Sequence, residues 1–328
     1  MEYMQMMMTR IIGTGSALPE AVLTNDDMSA LVETSDEWIA SRTGIRTRHL
    51  AGKESGVSMA SEAARRAMEN AGAHPEEIDL IIVATCSADN FFPNTACSVQ
   101  KELGIPNTAA AFDMNVACAG FVYALHTVHA YFLAGIYKKA LIVGVEAISR
   151  LIDWTDRSTC VLFGDGAGAA VVEPSEEGGV ICISQHADGS LGDALVCENR
   201  EIENPVSKRE QQLSYIKMNG QAVFKFAVTR VPECIHEVVD KGGVDINDVS
   251  LFLMHQANER ILQSVAKRLK VDIAKFPMNL QKYGNTSAAS LPILLDEVSR
   301  EGLLKRGEYV VLSGFGAGLT WGATLLKW

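Results

Sequence analysis

Three apolar runs recur in the same order in the two halves of the chain, and this repetition constrains the fold more than any other feature. The matched runs are 79–85 with 249–255, 112–115 with 276–279, and 140–146 with 308–314. Short runs that are apolar on both faces are typical of buried parallel strands, and helix-like segments separate them here. The simplest interpretation is an α/β protein with an internal duplication, whose halves are residues 1–174 and 175–328. A connector rich in Gly and acidic residues, 173–179, would join the halves.

Composition limits the classes of protein to which the chain can belong. Of its 328 residues, 48% are hydrophobic and 21% are charged, which is an ordinary globular composition with material for a sizeable core. The formal net charge is −11 and the isoelectric point is near 5.2. Because phosphate recognition depends on clustered Lys and Arg, this balance argues against a nucleic-acid partner.

The cysteines and the apolar segments indicate the compartment. The seven cysteines are scattered and include no Cys-x-x-Cys pair, so we expect neither a disulfide scaffold nor a metal site, and a reducing cytoplasm is favoured. Residues 1–10 lack the basic start and apolar core of a signal peptide. Residues 117–137 are the most membrane-like stretch, but they contain His126 and His129. We therefore predict a buried central helix there, two structural histidines, and no membrane partner.

Cys118 is the first candidate for chemistry. It lies between a strand-like apolar run, 109–114, and a helical segment that begins near residue 122. The N–H groups and the dipole at a helix N-terminus favour a thiolate, so we expect the pKa of Cys118 to lie below its ordinary value. The flanking alanines and glycine leave space for a bulky acyl group. On this stretch alone, an ordinary buried cysteine is the alternative interpretation.

Two polar residues of the second half also follow apolar runs. His255 ends the run that matches 79–85, and Asn285 follows the run 276–279. Functional groups collect beyond the carboxyl ends of parallel strands, so Cys118, His255 and Asn285 are predicted to meet in one cleft between the halves. Each of the last two has a structural alternative, a hydrogen-bonded core histidine and a turn or helix-capping asparagine.

An arginine-rich segment, 41–48, follows a capped helix start at 34–39 that contains Trp38. A tryptophan beside several arginines could bind an anionic, aromatic cofactor. A solvated loop is the alternative interpretation of the same charges.

Motifs that match a known family run in order along the whole chain. The matching stretches are 36–39, 42–45, 117–121, 156–157, 163–169, 186–190, 255–258, 284–290 and 314–322. They include Ala-Cys-Ala-Gly-Phe, His-Gln-Ala-Asn and Gly-Asn-Thr-Ser-Ala-Ala-Ser. In these motifs the chain resembles the thiolase superfamily and, within it, the β-ketoacyl-acyl-carrier-protein synthase III family, the initiating condensing enzymes of bacterial fatty-acid synthesis.

The resemblance implies a thiolase-like fold and a decarboxylative condensation. Cys118 would attack an acyl-CoA and hold the acyl group, with N–H groups of Cys118 and of the turn at Ala317 as the oxyanion hole. His255 and Asn285 would donate to the enolate that forms when malonyl-acyl-carrier protein loses CO₂. No metal or redox cofactor would be needed. Elongating synthases are expected to carry a second His at position 285, and thiolases a second Cys.

The resemblance also implies which residues bind the substrates. Trp38 and Arg157 would sandwich the CoA adenine, and Arg42 would contact a CoA phosphate. The residues implied to meet the acidic carrier protein are Gln256, Ala257, Asn258, Glu259, Arg260 and Lys225, with Lys267 and Arg268 as either further members or a solvated helix face. The residues implied to line the primer pocket are Cys86, Phe92, Ile148, Phe163 and Ile216. The length and branching of the primer stay open.

The resemblance implies a homodimer whose partners are acyl-CoA and acyl carrier protein, in the cytoplasm that the scattered cysteines favour. One rival is a transferase that starts a secondary-metabolite or polyketide pathway, and only an acceptor assay separates it. A non-catalytic acyl-CoA or carrier-protein binding module is disfavoured, because binding alone needs no nucleophile. A Cys-His hydrolase would release a free acid instead of a condensed product.

Overall fold

The computed structural model describes residues 7–199, 201–207 and 214–328. Of the first ten residues, analysed above as a possible signal peptide, 1–6 lie outside this range. Within the described part of the chain, no helix is long and apolar enough to cross a membrane. The strands are β1 (Met8–Ala17), β2 (Ala21–Thr24), β3 (Thr47–Leu50), β4 (Leu80–Ala84), β5 (Ala110–Met114), β6 (Ala140–Glu146), β7 (Gly166–Ser175), β8 (Gly179–Ala187), β9 (Leu195–Val196), β10 (Lys217–Met218), β11 (Val249–Met254), β12 (Tyr309–Gly316) and β13 (Thr320–Lys327).

The helices alternate with these strands, as the sequence predicts. They are α1 (Asn25–Ser29), α2 (Asp36–Thr43), α3 (Gly56–Ala71), α4 (Thr95–Leu103), α5 (Gly120–Leu133), α6 (Arg157–Cys160), α7 (Gly220–Lys241), α8 (Glu259–Leu269), α9 (Leu280–Tyr283) and α10 (Ser290–Arg300). Ser35 and Ser55 cap α2 and α3 by accepting a hydrogen bond from the backbone N–H three residues on.

The second sheet repeats the arrangement of four of the five strands of the first. The first has the order β1-β7-β6-β4-β5, and the second has the order β11-β12-β13-β8. In each, one parallel pair, β4 with β6 or β11 with β12, is followed by two antiparallel pairs. Read from the opposite edge, β8, β13, β12 and β11 therefore correspond to β1, β7, β6 and β4. This is the topology expected of a duplicated α/β chain. We propose that the halves divide between β7 and β8; the predicted boundary at 174 falls within β7, one residue before that strand ends.

One predicted strand is wrong. Residues 276–279 were matched to β5, but they form no strand, and among the described residues the second sheet has no partner on that side of β11. Two contacts explain the difference. Pro277 has no N–H to donate to a strand ladder, and the N–H of Asn279 donates to Oε1 of Gln256 at 3.0 Å. The chain there is held by a side chain instead of a neighbouring strand.

The core lies in three layers around these sheets. Helices α5 and α10 are buried between the two sheets, and Phe121, Leu125, Leu291 and Leu295 pack there against strands of both. Helices α3 and α4 cover the outer face of the first sheet, and α7 and α8 cover that of the second. The predicted membrane-like stretch is therefore a buried central helix over most of its length, because α5 packs against strands of both sheets.

Candidate active site

Two short 3-10 turns, one from each half, meet between the sheets. The first, Ala117–Ala119, precedes α5, and the second, Ser287–Ala289, precedes α10. Both begin with a non-glycine residue at positive φ, 43° at Ala117 and 49° at Ser287, a conformation that costs energy and is concentrated at functional sites. The thiol of Cys118 donates to Oγ of Ser287 at 3.3 Å. The nucleophile candidate thus contacts the segment that contains Asn285.

Glycines on the central strands let these turns approach the backbone. A Cβ atom on Gly144 would lie 2.3 Å from the carbonyl oxygen of Ala288, and one on Gly314 would lie 3.3 Å from that of Cys118. At Gly316 a Cβ would lie 2.8 Å from the backbone nitrogen of Cys118. The structure therefore brings the end of β12 against Cys118, and the predicted oxyanion residue Ala317 follows directly and is half-buried.

His255 immediately follows β11 and is 1% exposed. Its Nδ1 lies 2.6 Å from Oγ of Ser290, and the backbone N–H of Gln256 donates to the same Oγ at 3.3 Å. Because Oγ of Ser290 already accepts the hydrogen bond from Gln256, its hydroxyl hydrogen is available to donate to Nδ1 of His255. The single proton of the neutral ring is then on Nε2. Burial lowers the pKa of His255 to about 3, so the ring is a neutral N–H donor at physiological pH.

Asn285 is held on three sides. Its N–H donates to the carbonyl of Leu162 at 2.8 Å, and its carbonyl accepts from the N–H of Gly164 at 3.0 Å. Its side-chain Oδ1 accepts from the N–H of Ser287 at 2.9 Å. Because the oxygen end of the amide is fixed in this way, the NH₂ end is the one that can donate to a ligand.

The expected low pKa of Cys118 is wrong for this state of the protein. Burial raises the pKa of the thiol to about 12, even though Ser287 hydrogen-bonds to it, and the charge of Glu146 raises it further. Cys118 also lies in the 3-10 turn before α5, not in the helix itself. Desolvation of a thiolate therefore outweighs the field of the helix N-terminus.

Sequence reasoning missed Glu146, Ser287 and Ser290. Ser287 and Ser290 were inside a recognised motif but had no expected role. Glu146 ends the otherwise apolar strand β6 and is fully buried. A charged residue that terminates a fully apolar strand was the available signal, because carboxylates are almost never buried without partners.

The predicted CoA residues meet at one place on the first half. The guanidinium of Arg42 lies 4.5 Å from the Trp38 ring centroid, and that of Arg157 lies 4.8 Å from it. Arg157 also donates to the carbonyl of Glu33 at 2.8 Å. An adenine between Trp38 and Arg157 would need two stacking distances, roughly 7–8 Å. Arg157 is exposed, so it can be displaced by an entering base.

The predicted carrier-protein residues divide into exposed and internal groups. Arg260, Lys225, Lys267 and Arg268 are exposed. Gln256 is 1% exposed, and it is internal because its amide donates to the carbonyl of Met254 at 2.8 Å and accepts from Asn279. The expectation that Gln256 contacts a partner is therefore wrong.

The three residues between Gln256 and Arg260 are only half-exposed. Ala257 packs against the core of the second half. Asn258 caps α8 through a bond from the N–H of Arg260 at 2.8 Å, and its amide donates to the carbonyl of Arg42 at 3.0 Å. Glu259 accepts a hydrogen bond from Gln263 at 2.8 Å. Asn258 therefore links Arg42 of the predicted CoA surface to Arg260 of the predicted carrier-protein surface.

Four of the predicted primer-pocket residues lie together. Ile148, Phe163 and Ile216 belong to one buried apolar cluster, and Cys86 packs against it. Phe163 also pairs with Asn285 through an isolated parallel bridge, which connects the cluster to the site. Phe92 lies elsewhere in the single chain and is 87% exposed.

Two further histidines have structural partners. His126 bonds to Gln185 at 2.9 Å and to Thr324 at 2.8 Å, and His129 bonds to Thr9 at 2.8 Å, which supports the structural interpretation of both histidines. Among the described residues, one group has metal-ligand spacing and comprises His186, Cys234 and Glu237. Its carboxylate already bonds to His186 at 2.8 Å and to Lys241 at 2.6 Å.

Comparison with known proteins decides the family. Residues 112–189 match the family described as 3-Oxoacyl-[acyl-carrier-protein (ACP)] synthase III, and residues 239–328 match the corresponding C-terminal domain. A β-ketoacyl-[acyl-carrier-protein] synthase III from Clostridium acetobutylicum is 49% identical over 319 residues, which cover 97% of this chain and 98% of the relative. The chain belongs to the β-ketoacyl-acyl-carrier-protein synthase III family.

Solved structures of synthase III proteins share the whole fold. The crystal structure of 3-oxoacyl-[acyl-carrier-protein] synthase III from Aquifex aeolicus is 46% identical, has a TM-score of 0.92, and is matched over 98% of this chain and 100% of that one. The corresponding protein from Pseudomonas aeruginosa is 40% identical with a TM-score of 0.90, over 98% of each chain. The predicted thiolase-like α/β fold is confirmed, and so is an acyl-transferring enzyme that initiates fatty-acid synthesis by condensation.

Proposed function

We propose that Cys118, His255 and Asn285 are the catalytic residues of this synthase III and that it joins an acyl-CoA primer to malonyl-acyl-carrier protein. One observation carries the assignment of the three residues. The 285–290 segment contacts the Cys118 thiol through Ser287 and, through Ser287 and Ser290, also orients Asn285 and His255 as N–H donors. A nucleophile and two aligned neutral donors suit acyl transfer followed by enolate stabilisation.

In the first half-reaction, the sulfur of Cys118 attacks the acyl-CoA carbonyl and CoA leaves as a thiol. The N–H groups of Cys118 and Ala317 stabilise the oxyanion, because β12 holds Gly316 against the Cys118 backbone. The acyl chain extends into the apolar cluster that contains Ile148, Phe163 and Ile216. Cys86 packs against the same cluster and completes the pocket.

In the second half-reaction, malonyl-carrier protein loses CO₂ and its thioester oxygen becomes an enolate oxygen. His255 Nε2–H and the Asn285 amide donate to that oxygen without protonating it. A neutral histidine is the suitable donor, because an imidazolium would transfer its proton to the enolate. The enolate carbon then attacks the Cys118 thioester, and a 3-oxoacyl-carrier protein leaves. No step in this sequence requires a metal or redox cofactor.

The two substrates use different surfaces. CoA binds at Trp38, Arg42 and Arg157, whose clustered cation–π contacts suit an adenine and its phosphates. The carrier protein meets the exposed Arg260 and Lys225, with Lys267 and Arg268 extending the patch on α8. The half-exposed Ala257, Asn258 and Glu259 lie beside it. On a chain with a net charge of −11, this local positive patch would steer an acidic partner.

We also propose that the protein is a cytoplasmic homodimer. Phe91 and Phe92 are 68% and 87% exposed. Adjacent exposed aromatic side chains favour a subunit contact, since single chains rarely leave such surface in water.

Intact-protein mass spectrometry tests this function. The enzyme is incubated with a panel of acyl-CoAs and then with malonyl-carrier protein. We expect one acyl mass on Cys118 that disappears as a 3-oxoacyl-carrier protein forms. An adduct that malonyl-carrier protein leaves unchanged would keep Cys118 as the nucleophile and exclude this acceptor.

Variants separate the roles of the three residues. Cys118→Ser should form no thioester. His255→Ala and Asn285→Ala should still be acylated by acyl-CoA but should lose decarboxylation and condensation by at least ~10²-fold, the usual effect of removing one oxyanion donor. Equal loss of acylation in these two variants would contradict the division of labour.

A further inference from the structure

A buried carboxylate that the proposed reaction does not use lies behind the nucleophile. Oε1 of Glu146 accepts a hydrogen bond from Oγ of Ser287 at 3.0 Å, and that same Oγ accepts from the Cys118 thiol at 3.3 Å. The three groups form one continuous chain from sulfur to carboxylate, in which every donor points toward Glu146. This chain runs between the halves, because Glu146 ends β6 and Ser287 belongs to the second turn.

The remaining partners of Glu146 are neutral. Its carboxylate accepts from Oγ of Ser87 at 2.5 Å, from the N–H of Cys86 at 3.2 Å, from the Cys86 thiol at 3.3 Å and from Oγ1 of Thr85 at 3.3 Å. None of these partners carries a positive charge. Burying a carboxylate without a cation costs free energy. Groups buried in this way are often found at functional sites, where they can hold a proton.

From this geometry we infer that Glu146 accepts the Cys118 proton through the hydroxyl of Ser287. The S–H bond of Cys118 breaks and its proton binds Oγ of Ser287, while the Ser287 proton moves to Oε1 of Glu146. The products are a thiolate, an intact serine hydroxyl and a neutral carboxylic acid. Ser287 is then the catalytic group that touches the nucleophile, and Glu146 acts only through it.

The same chain can return the proton after acyl transfer, an extension that rests on the proposed function of Cys118. The thiolate attacks the acyl-CoA carbonyl, and the bond to the CoA sulfur breaks with its electron pair. The proton held by Glu146 passes back through Ser287 to the departing CoA sulfur. CoA leaves as a thiol, Cys118 carries the acyl group, and Glu146 is ionised again, so that no proton is gained or lost.

The relay provides a way to form a thiolate at Cys118 although burial raises the pKa of its thiol. Burial raises the pKa of Glu146 as well as that of Cys118, so the two groups compete for one proton on more equal terms than they would in water. Transfer between them leaves the buried charge at one. Loss of the thiol proton to solvent, by contrast, would place two negative charges side by side. The remaining titratable neighbour, Cys86, has a pKa raised well above its ordinary value by burial and stays neutral.

Glu146→Gln tests the inference because the two possible roles of Glu146 predict opposite changes in the alkylation rate of Cys118. If Glu146 takes the proton, Glu146→Gln should slow iodoacetamide alkylation of Cys118 at pH 7 by at least ~10-fold. If Glu146 only repels the thiolate, the neutral glutamine should accelerate alkylation. The rate is read at Cys118 by peptide mass spectrometry, since Cys97 and Cys197 are exposed and also react. An alkylation rate equal to or above that of the wild type overturns the relay.

The shape of the pH profile gives a readout that a merely structural role would not change. The state with a Cys118 thiolate and a neutral Glu146 holds as many protons as the state with a Cys118 thiol and an ionised Glu146. The ratio of these two states therefore does not depend on pH between the two macroscopic pKa values of the pair. The wild-type rate should reach a plateau across the neutral pH range. In Glu146→Gln it should keep rising toward the pKa of the isolated thiol, about tenfold per pH unit. A wild-type profile as steep as that of the variant would contradict the relay.

Two further variants keep the test independent of folding. Ser287→Ala retains the backbone N–H that holds Asn285 and removes only the hydroxyl, so it should show the same steep profile. Thr85→Val removes another hydrogen bond to Glu146 without touching Cys118, and it should keep the plateau.

Acylation by acetyl-CoA, followed by intact mass, distinguishes a failure of the proposed function from a failure of the relay. Wild-type protein that is never acylated contradicts the proposed function, whereas acylation with a steep profile contradicts the relay alone.

Discussion

The two 3-10 turns at the centre of the molecule have the same backbone and different chemistry. Ala117-Cys118-Ala119 and Ser287-Ala288-Ala289 both start at positive φ and both lead into a buried helix. In the first, the middle residue is the proposed nucleophile, and in the second it is an alanine. The second half instead supplies groups on either side of its alanine, Asn285 before it and Ser290 after it.

This difference shows how a duplicated fold can divide one reaction between its halves. Each turn packs on a glycine of the other half's central strand, Ala288 on Gly144 and Cys118 on Gly314. The backbone geometry is needed on both sides because the turns interlock with the opposite sheets. The side chains were free to differ, so in the proposed reaction the first half forms the covalent bond and the second half stabilises the enolate.

The largest effect should come from making the first turn resemble the second. Cys118→Ala should abolish acyl transfer, by at least ~10³-fold, because no other group can hold the acyl chain. The fold should survive, since alanine already occupies the matching position in the second turn. Intact mass after incubation with acyl-CoA measures the transfer, and thermal unfolding measures the fold. Cys234→Ala, which removes another buried thiol, should remain active. Acylated Cys118→Ala would identify another nucleophile.

The next effect concerns how closely β12 supports the first turn. Gly316→Ala would place a Cβ 2.8 Å from the Cys118 nitrogen, and the turn would have to move. A displacement of about 1 Å at a reacting group lowers rates by ~10²-fold. We expect that loss in the single-turnover acylation rate. Gly189→Ala is the matched control, because a Cβ there has no atom within 4 Å. A normal rate in Gly316→Ala would show that β12 does not position Cys118.

The sequence predicts most of the strands because these depend on local pattern. The bounds of β6 are as predicted, and the thiol of Cys118 contacts Ser287, whose N–H bonds to Asn285. What failed depends on tertiary contacts. The residues at 276–279 resemble a strand until Gln256 is seen to hold the backbone of Asn279.

Charge was the least predictable property. A helix start after Cys118 predicts a low pKa, but the distance of the thiol from solvent cannot be read from neighbouring residues. Burial reverses the sign of the shift, and Glu146, which is 28 residues further along the chain and in a different strand, adds to it. The same limit explains why an apolar strand ending in a glutamate was not recognised as part of the site.

A smaller effect is expected on the pH dependence of stability, and it involves one buried histidine from each half. Burial lowers the pKa of His126 to about 4 and that of His255 to about 3, while both have an ordinary pKa near 6.5 when unfolded. The unfolded chain therefore binds more protons below pH 6.5, and stability is full above that pH and declines as pH falls. Each histidine contributes a slope of up to about 1.4 kcal/mol per pH unit.

Urea unfolding between pH 4.5 and 7.5 measures this slope. Replacement of either histidine by glutamine should reduce it, yet the two variants should differ in chemistry. Both ring nitrogens of His126 are bonded within the fold, so His126→Gln should condense normally. His255→Gln should not. An unchanged slope in both variants would mean that the rings are charged in the folded protein.

The smallest expected effect separates the two substrate surfaces. Trp38→Ala removes a cation–π platform in the first half, worth about 1–2 kcal/mol, and should raise the KM for acyl-CoA roughly 5–30-fold with little change for the carrier protein. Arg260→Glu in the second half should raise the KM for the carrier protein several-fold and reduce its dependence on salt, because an exposed charge acts mainly through steering. Steady-state kinetics with each substrate varied in turn measures both, and each variant is the control for the other. If both KM values rise together in either variant, the substrates share one surface. The two halves would then differ in the chemistry of their turns but not in the substrate that each binds.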